Sequence, residues 1–527
     1  MKKIDRDLEL SISEFSPGSI KTKDKRLHEV IGFTAEIPEP ENLSTPKVQE
    51  RSSYVKFKMG DKDPLGDVTF IKSCSSCGKL DEVAAAAMTE EIFKCNEEDG
   101  GCSYQNPTNE DSKKIKIFKA VSPLGYRTDF SKGVDADENS EFNFSSSALT
   151  TANSTPNQTK IIGNSFLSLS DKALVYRISD NGGNLFKGRI CTTGDKEKNT
   201  RAPWFNLKNQ WIAEKYLSNG SYKINDDYPL EEIALFSKKI TDSVSFSPRK
   251  TPDGILLNHS EFRESYKLQS TAIKSAFYSA AFILRKMLAK ELDIDPIELE
   301  ISRLQVDPKT AFDFPTGKLT LSDELANGSG FSSWIYENGF QNAMNEISSL
   351  SQTNNSIISG LIHPEHTQNC DSSGYCCTHD YKNMNFHPIL DWRLGMNILY
   401  HLAEEDFSSG ITNLNHETSL PFMDFFPTHA ETHKKIEDFC SSTDSVEFSP
   451  LGPLPSFVIG DRIRAVLVHP FWDLNGGHEE DKPTATQVED SIVVDSLLED
   501  DGLKIKYFDI FNLSRRPMTT ISALLDE

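Results

Sequence analysis

The chain has 527 residues, of which 37% are hydrophobic, which is long enough for a sizeable core in roughly two to four domains. Its 56 basic and 79 acidic side chains leave a formal net charge of −23. That excludes a protein that coats nucleic acid through global charge, while leaving room for a local basic channel.

The first segment, 1–65, reads as strand-rich. A turn at Phe15-Ser16-Pro17-Gly18-Ser19 precedes short strands at Ile20–Arg26 and Val30–Phe33. Residues 66–130 form a cysteine-bearing, ribbon-like module, in which Lys114-Ile115-Lys116-Ile117-Phe118 alternates with period two as a strand does. Residues 131–160, rich in Ser, Asn, Asp and Thr, predict a flexible insertion. A β-rich connecting region covers 161–255, with a strand at Ala173–Ile178 that ends in the turn Asp180-Asn181-Gly182-Gly183.

Residues 256–435 read as a mixed α/β domain with a ligand-rich loop. Its clearest helix spans 270–292, where Ile273, Phe277, Ala281, Leu284, Leu288 and Leu292 fall on one face. A second helix is predicted over Ile389–Ala403, and Gly328-Ser329-Gly330 reads as a tight turn before a helix through Trp334 and Ile335. The last region, 436–527, carries a strand at Arg462–Val468 and an acidic loop at 478–502. His469 beside Phe471 and Trp472 reads as a core histidine. The expected fold class is therefore α+β, a β-rich N-terminal half with a zinc ribbon followed by a mixed zinc-loop domain. No apolar stretch follows Met1-Lys2-Lys3, and Arg285 and Lys286 interrupt the longest apolar run, so the expectation is a cytoplasmic protein without a membrane span.

Nine cysteines, odd in number and clustered, favour metal ligation over a disulfide framework. Cys74 and Cys77 form a C-x2-C knuckle followed by Gly78, and Cys95 and Cys102 follow as a looser second pair. Four thiolates fill a zinc tetrahedron and leave no position for water, so that site would be structural. The second constellation runs from His363 to His387 and includes His366, Cys370, Cys376, Cys377 and His379. The cofactor expected is Zn²⁺, in one or two structural sites.

No G-x-x-x-x-G-K-[ST] sequence occurs, and Pro315-Thr316-Gly317-Lys318-Leu319 lacks both the upstream glycine and the Ser/Thr that would cradle phosphate and Mg²⁺. The sequence also holds no H-E-x-x-H and no nucleophile elbow. The chain is therefore expected not to be an enzyme by itself.

Taken in order, several stretches resemble one family, the C-terminal region of DEAD/DEAH-type helicases that carry an MrfA-type zinc-binding (MZB) domain. That domain also occurs in stand-alone DrmB-like subunits of the DISARM anti-phage system. The stretches are Leu8–Phe33 with its Phe15-Ser16-Pro17-Gly18 turn, Cys74-Ser75-Ser76-Cys77-Gly78, Pro123–Asp129, Thr271–Glu298, Asp323–Phe331, Cys370–Leu394 with Leu390-Asp391-Trp392-Arg393-Leu394, and Phe508–Pro517 with Arg515-Arg516-Pro517. The resemblance makes 256–435 an MZB-like domain. One departure stands out, because the family's middle cysteine falls on Gly374 and Cys376 stands two residues later. Either Cys376 replaces it or the site is rebuilt.

The resemblance implies a non-ATPase, zinc-binding partner of a separate DEAD/DEAH-type helicase subunit, guiding or clamping DNA in a bacterial defence complex. Lys21, Lys23, Lys25 and Arg26, then Lys113, Lys114, Lys116 and Lys119, then Arg515 and Arg516, are the candidate phosphate contacts. Two other readings stay open. One is an autonomous metal-dependent nuclease or hydrolase built on His363, His366, Asp371 or His387. The other is a scaffold that does not touch DNA.

Overall fold

The computed structural model describes residues 7–34, 63–89, 115–128, 149–193, 210–252, 255–259, 267–307, 316–349, 356–407, 429–449, 455–472 and 502–525, apart from a few positions within these ranges, with Cys95, 134–135 and Ser409 besides. The acidic loop at 478–502 falls almost wholly outside them. The fold is α+β with a β-rich N-terminal half.

The chain enters through helix α1 (Leu8–Glu14), an element the reading of short strands did not contain, and continues into the hairpin β1 (Ile20–Lys23) and β2 (Arg26–Thr34). Strands β3 (Asp67–Cys74), β4 (Leu80–Val83), β5 (Ile115–Ser122) and β6 (Gly125–Thr128) follow, with β7 (Val134–Asp135) on the edge of β2. Then come β8 (Leu149–Asn153), β9 (Gln158–Ile162), β10 (Ser165–Ser179), β11 (Phe186–Thr193), β12 (Gln210–Ala213), β13 (Tyr222–Ile224) and β14 (Glu231–Pro248). Strand β8 and the first three residues of β9 lie inside the stretch whose composition predicted a flexible insertion. They are ordered because both strands pair antiparallel with β10, and that pairing satisfies the backbone groups that face β10.

The antiparallel pair β10–β14 is the spine of the molecule. Successive side chains of a strand point to opposite faces. In β14, Ile233 and Leu235 accordingly join the cluster around Phe33 and Trp211, while Ala234 and Phe236 join the one around Ile71 and Tyr176. Further along, Val244 and Phe246 of β14 and Leu167 and Leu169 of β10 belong to the largest core. The turn after β10 forms as expected, with Asn181, Gly182 and Gly183 all at positive φ.

That largest core surrounds helix α2 (Lys267–Leu292). The periodicity predicted one buried face, yet Ala272, Ser275, Ala276, Ser279 and Ala280 are each 0% exposed, so the back of the helix is covered too. A helix covered around most of its circumference, with only a few positions such as Lys274 left exposed, belongs to the centre of a domain rather than its surface. Strands β15 (Leu299–Ile301), β16 (Gln305–Asp307) and β17 (Thr316–Asp323) follow. Asp323, fully buried, accepts from Ser329 N, Phe331 N and Ser332 N at 2.7, 3.1 and 2.9 Å. It thereby fixes the Gly328–Gly330 turn into α3 (Phe331–Trp334) and α4 (Phe340–Ser349).

Helices α5 (Ile357–Ile362), α6 (Pro364–Asn369) and α7 (Trp392–Ala403) complete the layer over α2, and α8 (His429–Ser441) leads to a separate sheet. Helix α7 starts three residues later than predicted because Asp391 caps it, accepting from Arg393 N and Leu394 N. Residues 384–389 form a 3₁₀ turn instead. The second sheet holds β18 (Val446–Phe448), β19 (Ser456–Ile459), β20 (Ile463–Leu467) and β21 (Lys504–Phe508), with β20 and β21 parallel. Helices α9 (Ile510–Arg515) and α10 (Pro517–Leu525) close the chain's described part. His469 is buried, and its Nδ1 accepts from Phe471 N at 3.1 Å, as a core histidine would. No helix among the described residues is long and apolar enough to cross a membrane.

Candidate metal centres

The first centre grows from the β3–β4 hairpin. Cys74 ends β3 and Cys77 sits in the turn, where Gly78 N donates to Cys74 O at 2.9 Å and Cys74 N to Lys79 O at 3.0 Å. Gly78 has φ +79°, and a Cβ there would stand 2.8 Å from the Leu304 carbonyl oxygen, so the knuckle needs glycine. Cys77 O accepts from Val306 N at 3.0 Å and docks the turn on β16. Cys74, Cys77 and Cys95 are each 3% exposed and their sulfurs lie within 4.8 Å of one another. Cys102, the fourth expected ligand, lies outside the described residues.

The second centre is complete. His366 from α6 and Cys370, Cys376 and Cys377 from the loop after it bring one nitrogen and three sulfurs within 4.8 Å of one another. Gly374 contributes no ligand but donates its N–H to Cys377 Sγ at 3.3 Å, and Cys376 supplies the remaining sulfur.

The spacings suit a tetrahedral ion. Zn–S bonds of about 2.3 Å give sulfur–sulfur edges of about 3.8 Å, whereas a disulfide needs about 2.05 Å. Cys77 and Cys95 stand 3.6 Å apart, Cys370 and Cys377 3.7 Å, and Cys376 and Cys377 4.0 Å. None of the described cysteines forms a disulfide. His366 Nδ1 lies 2.8 Å from Leu361 O, while its buried Nε2 has no conventional hydrogen-bond partner. A histidine that gives one ring N–H to a backbone carbonyl holds its other nitrogen ready as a ligand. Cys370 S–H, the adjacent His366 ring and Gly374 N–H all favour the Cys377 thiolate, whereas the bond to Cys377 pushes the Cys370 thiol up.

The loop is clamped from the start of α7. Trp392 Nε1 donates to Cys370 O at 2.9 Å, and its ring meets that of His366 edge-on at 5.0 Å. Arg393 donates to Cys370 O at 3.1 Å, to Thr367 O at 3.0 Å and to Asp371 O. On the other side the Lys286 ammonium of α2 bonds the Cys377 carbonyl. These clamping roles have no spacing signal in the sequence. Trp392 and Arg393 stood out only as part of a resembling motif.

The remaining predicted residues go elsewhere. His363 caps α6 through Nδ1, and exposed Asp371 pairs with Lys435 at 3.1 Å. His387 Nε2 lies 2.7 Å from Asn383 Oδ1, and its ring stacks on His379 at 3.8 Å. None of these joins the thiol cluster, whose four donor atoms would fill a tetrahedral ion's coordination sphere.

The candidate phosphate contacts divide. Lys21 pairs with Glu14 at 3.4 Å, and Lys119 with Glu231 at 3.0 Å. Arg515 is engaged inside the protein by Asp391. Arg26, Lys116 and Arg516 are exposed. Lys25, Lys113, Lys114 and the side chain of Lys23 lie outside the described residues.

No protein-family model matches the sequence, and no curated protein matches it. Among solved structures the chain is similar to a crystal structure of the DUF1998 helicase MrfA bound to DNA, at 11% identity and a TM-score of 0.25, over 70% of this chain and 41% of that one. The chain thus spans less than half the length of that structure.

Proposed function

We propose that the chain is a zinc-containing, non-ATPase partner subunit of a DNA helicase, guiding or clamping nucleic acid while a separate ATPase chain supplies the motor, in a bacterial anti-phage complex of the DISARM kind. One observation carries this reading. Stretches that resemble the helicase-associated family are distant in sequence, and their residues touch. Arg515 of the closing element bonds Asp391 of the Leu390–Leu394 element, Arg393 of that element holds the Cys370 loop, and Asp391 N donates to the Ser279 hydroxyl oxygen of the α2 stretch at 2.8 Å. Elements that resemble a family one at a time also interlock as a unit.

In this reading both ions are structural zinc. Each would staple a loop, and neither would activate water, because a fully ligated ion has no vacancy. The motor must come from elsewhere, since the sequence holds no phosphate-cradling loop with its lysine.

The test is affinity purification of the tagged full chain from its native host, followed by single-stranded DNA binding across a salt series. A stoichiometric ATPase and salt-sensitive binding are expected. Recovery of the chain with no ATPase beside it ends the proposal. DNA binding that is absent at low salt leaves the scaffold reading in its place.

A further inference from the structure

Helix α2 carries a basic spot that neither metal centre uses. Ser270, Lys274 and Tyr278 recur at steps of four and so share one line of the helix. Two other segments dock on that line. Ser270 Oγ donates to His259 O at 2.6 Å, and Leu304 N donates to Tyr278 Oη at 3.1 Å. His259 therefore lies beside the turn before Lys274, and Arg303 beside the turn after it. Arg303 is fixed through its own N–H, which donates to Thr150 O at 2.6 Å.

The chemistry of this spot is one-sided. Lys274 is exposed and Arg303 half-buried, and neither has an ion-pair partner among the described residues. Crowding by the protein lowers the Lys274 pKa, and the charge that adds to the shift is that of Arg303. His259 is 6% exposed, and its Nδ1 is buried with no hydrogen-bond partner. Burial first, then Lys274 and Arg303, push His259 down to about 3, so its ring is neutral at pH 7. Two buried cations elsewhere in the chain do meet carboxylates. Lys239 meets Glu300 at 2.8 Å and Arg285 meets Asp380 at 3.1 Å. Among the described residues no carboxylate pairs with either Lys274 or Arg303, which leaves room for a negative charge from outside.

We infer that Lys274, Arg303 and His259 form an anion site for a phosphate group of the kind a nucleic-acid backbone presents. The ammonium and guanidinium supply charge, and the neutral imidazole offers a ring nitrogen that lacks a partner. The site stands on its own geometry. Only the backbone as the source of the phosphate rests on the function proposed above.

Acetic anhydride acylates lysine amines at mildly alkaline pH, so labelling of Lys274 is a direct readout of whether the site is occupied. The full chain is treated with a trace of acetic anhydride, and the Lys274 peptide is quantified by mass spectrometry. The additions are sodium chloride, inorganic phosphate at equal ionic strength, or a single-stranded oligonucleotide. Phosphate is expected to slow labelling several-fold beyond chloride, and the oligonucleotide to slow it further. Arg303→Ala removes both protections, and Arg303→Lys keeps part of them, which separates lost charge from lost folding. The same Ala variant lowers the salt slope of oligonucleotide binding by about 1. Protection by phosphate without any oligonucleotide binding upholds the site and sinks the nucleic-acid function. Oligonucleotide binding that leaves Lys274 labelling and the Arg303→Ala slope unchanged overturns the site. Failure of both probes to protect Lys274 overturns it as well.

Discussion

Arg515 Nη2 lies 3.3 Å from Asp391 Oδ2, joining α9 to the cap of α7 across 124 positions of sequence. The same Nη2 donates to Leu390 O at 3.0 Å, and the guanidinium lies over the Phe511 ring at 4.1 Å. Burial raises the Asp391 pKa, and Arg515 first, then Arg393, pull it back. Removing Arg515 leaves a carboxylate that is 3% exposed with less to offset its charge. Arg515→Ala should lower unfolding stability by about 2–4 kcal/mol in urea titrations. A loss under about 0.5 kcal/mol would show the pair to be incidental.

Elemental analysis of the full chain should give two zinc ions per molecule. Cys370→Ser/Cys377→Ser should remove one, and Cys74→Ser/Cys77→Ser should remove the other. Each loss follows because two of the sulfurs that set the tetrahedral edges vanish together. A single zinc that survives the Cys370/Cys377 change would confine metal to the β3–β4 knuckle.

Cys376 is the exposed member of its cluster, while Cys370 and Cys377 are each 7% exposed. Its replacement by serine should weaken the ion and not abolish it, since water can reach that corner. With Co²⁺ in place of zinc, wild type should show a tetrahedral spectrum with three sulfur ligands, and Cys376→Ser should lose part of its sulfur-to-cobalt absorption. An unchanged spectrum would exclude Cys376 from the metal.

Which parts of this were readable in advance follows from the physics of each signal. Cysteine and histidine types within a short span announced the loop after α6, and the ligand group His366, Cys370, Cys376 and Cys377 comes together in space. Helix α2 was legible from Phe277, Leu284 and Leu288. Its covered back was not, because Ala272, Ser275 and Ser279 carry too little hydrophobicity to register in a periodic pattern. Strand β9 was hidden for a related reason. Its side chains are largely exposed, and what orders it is the β10 backbone beside it. The basic spot on α2 gave no signal because Lys274, Arg303 and His259 are ordinary residues until the fold places them together.

The close fit of α7 on α2 makes its own prediction. A Cβ at Gly395 would stand 2.8 Å from Ser279 Cβ and 2.9 Å from Ala280 N. Neither neighbour can swing away, since one is a short side chain and the other is backbone. Gly395→Ala should therefore destabilise by about 1–3 kcal/mol despite the better helix propensity of alanine. Loss of a second-centre zinc in the same variant would show that the α2–α7 contact also holds the loop. A variant as stable as wild type would mean that the helices separate freely.

Asp509 supplies a test in pH. It caps α9, accepting from Asn512 N at 2.8 Å, and is 5% exposed. Burial outweighs its bonds to Asn512 and the pull of Arg515, and raises its pKa to about 6. In the unfolded chain an aspartate titrates near 3.9 or thereabouts, at about the model-peptide value. Between these two values the folded protein holds a proton that the unfolded chain has released. Stability from this group is therefore full below pH about 4, falls as pH rises, and levels off above pH about 6 after a loss of up to about 3 kcal/mol. Asn at this position keeps a capping oxygen and has no proton to lose. Asp509→Asn should match or slightly trail wild type at low pH and exceed it by about 1–2 kcal/mol at pH 7. Urea titrations of both proteins at pH 4.5 and 7 decide the matter, because other titrating groups cancel in the difference. A stability difference that is the same at the two pH values would mean that Asp509 titrates alike in the folded and unfolded states.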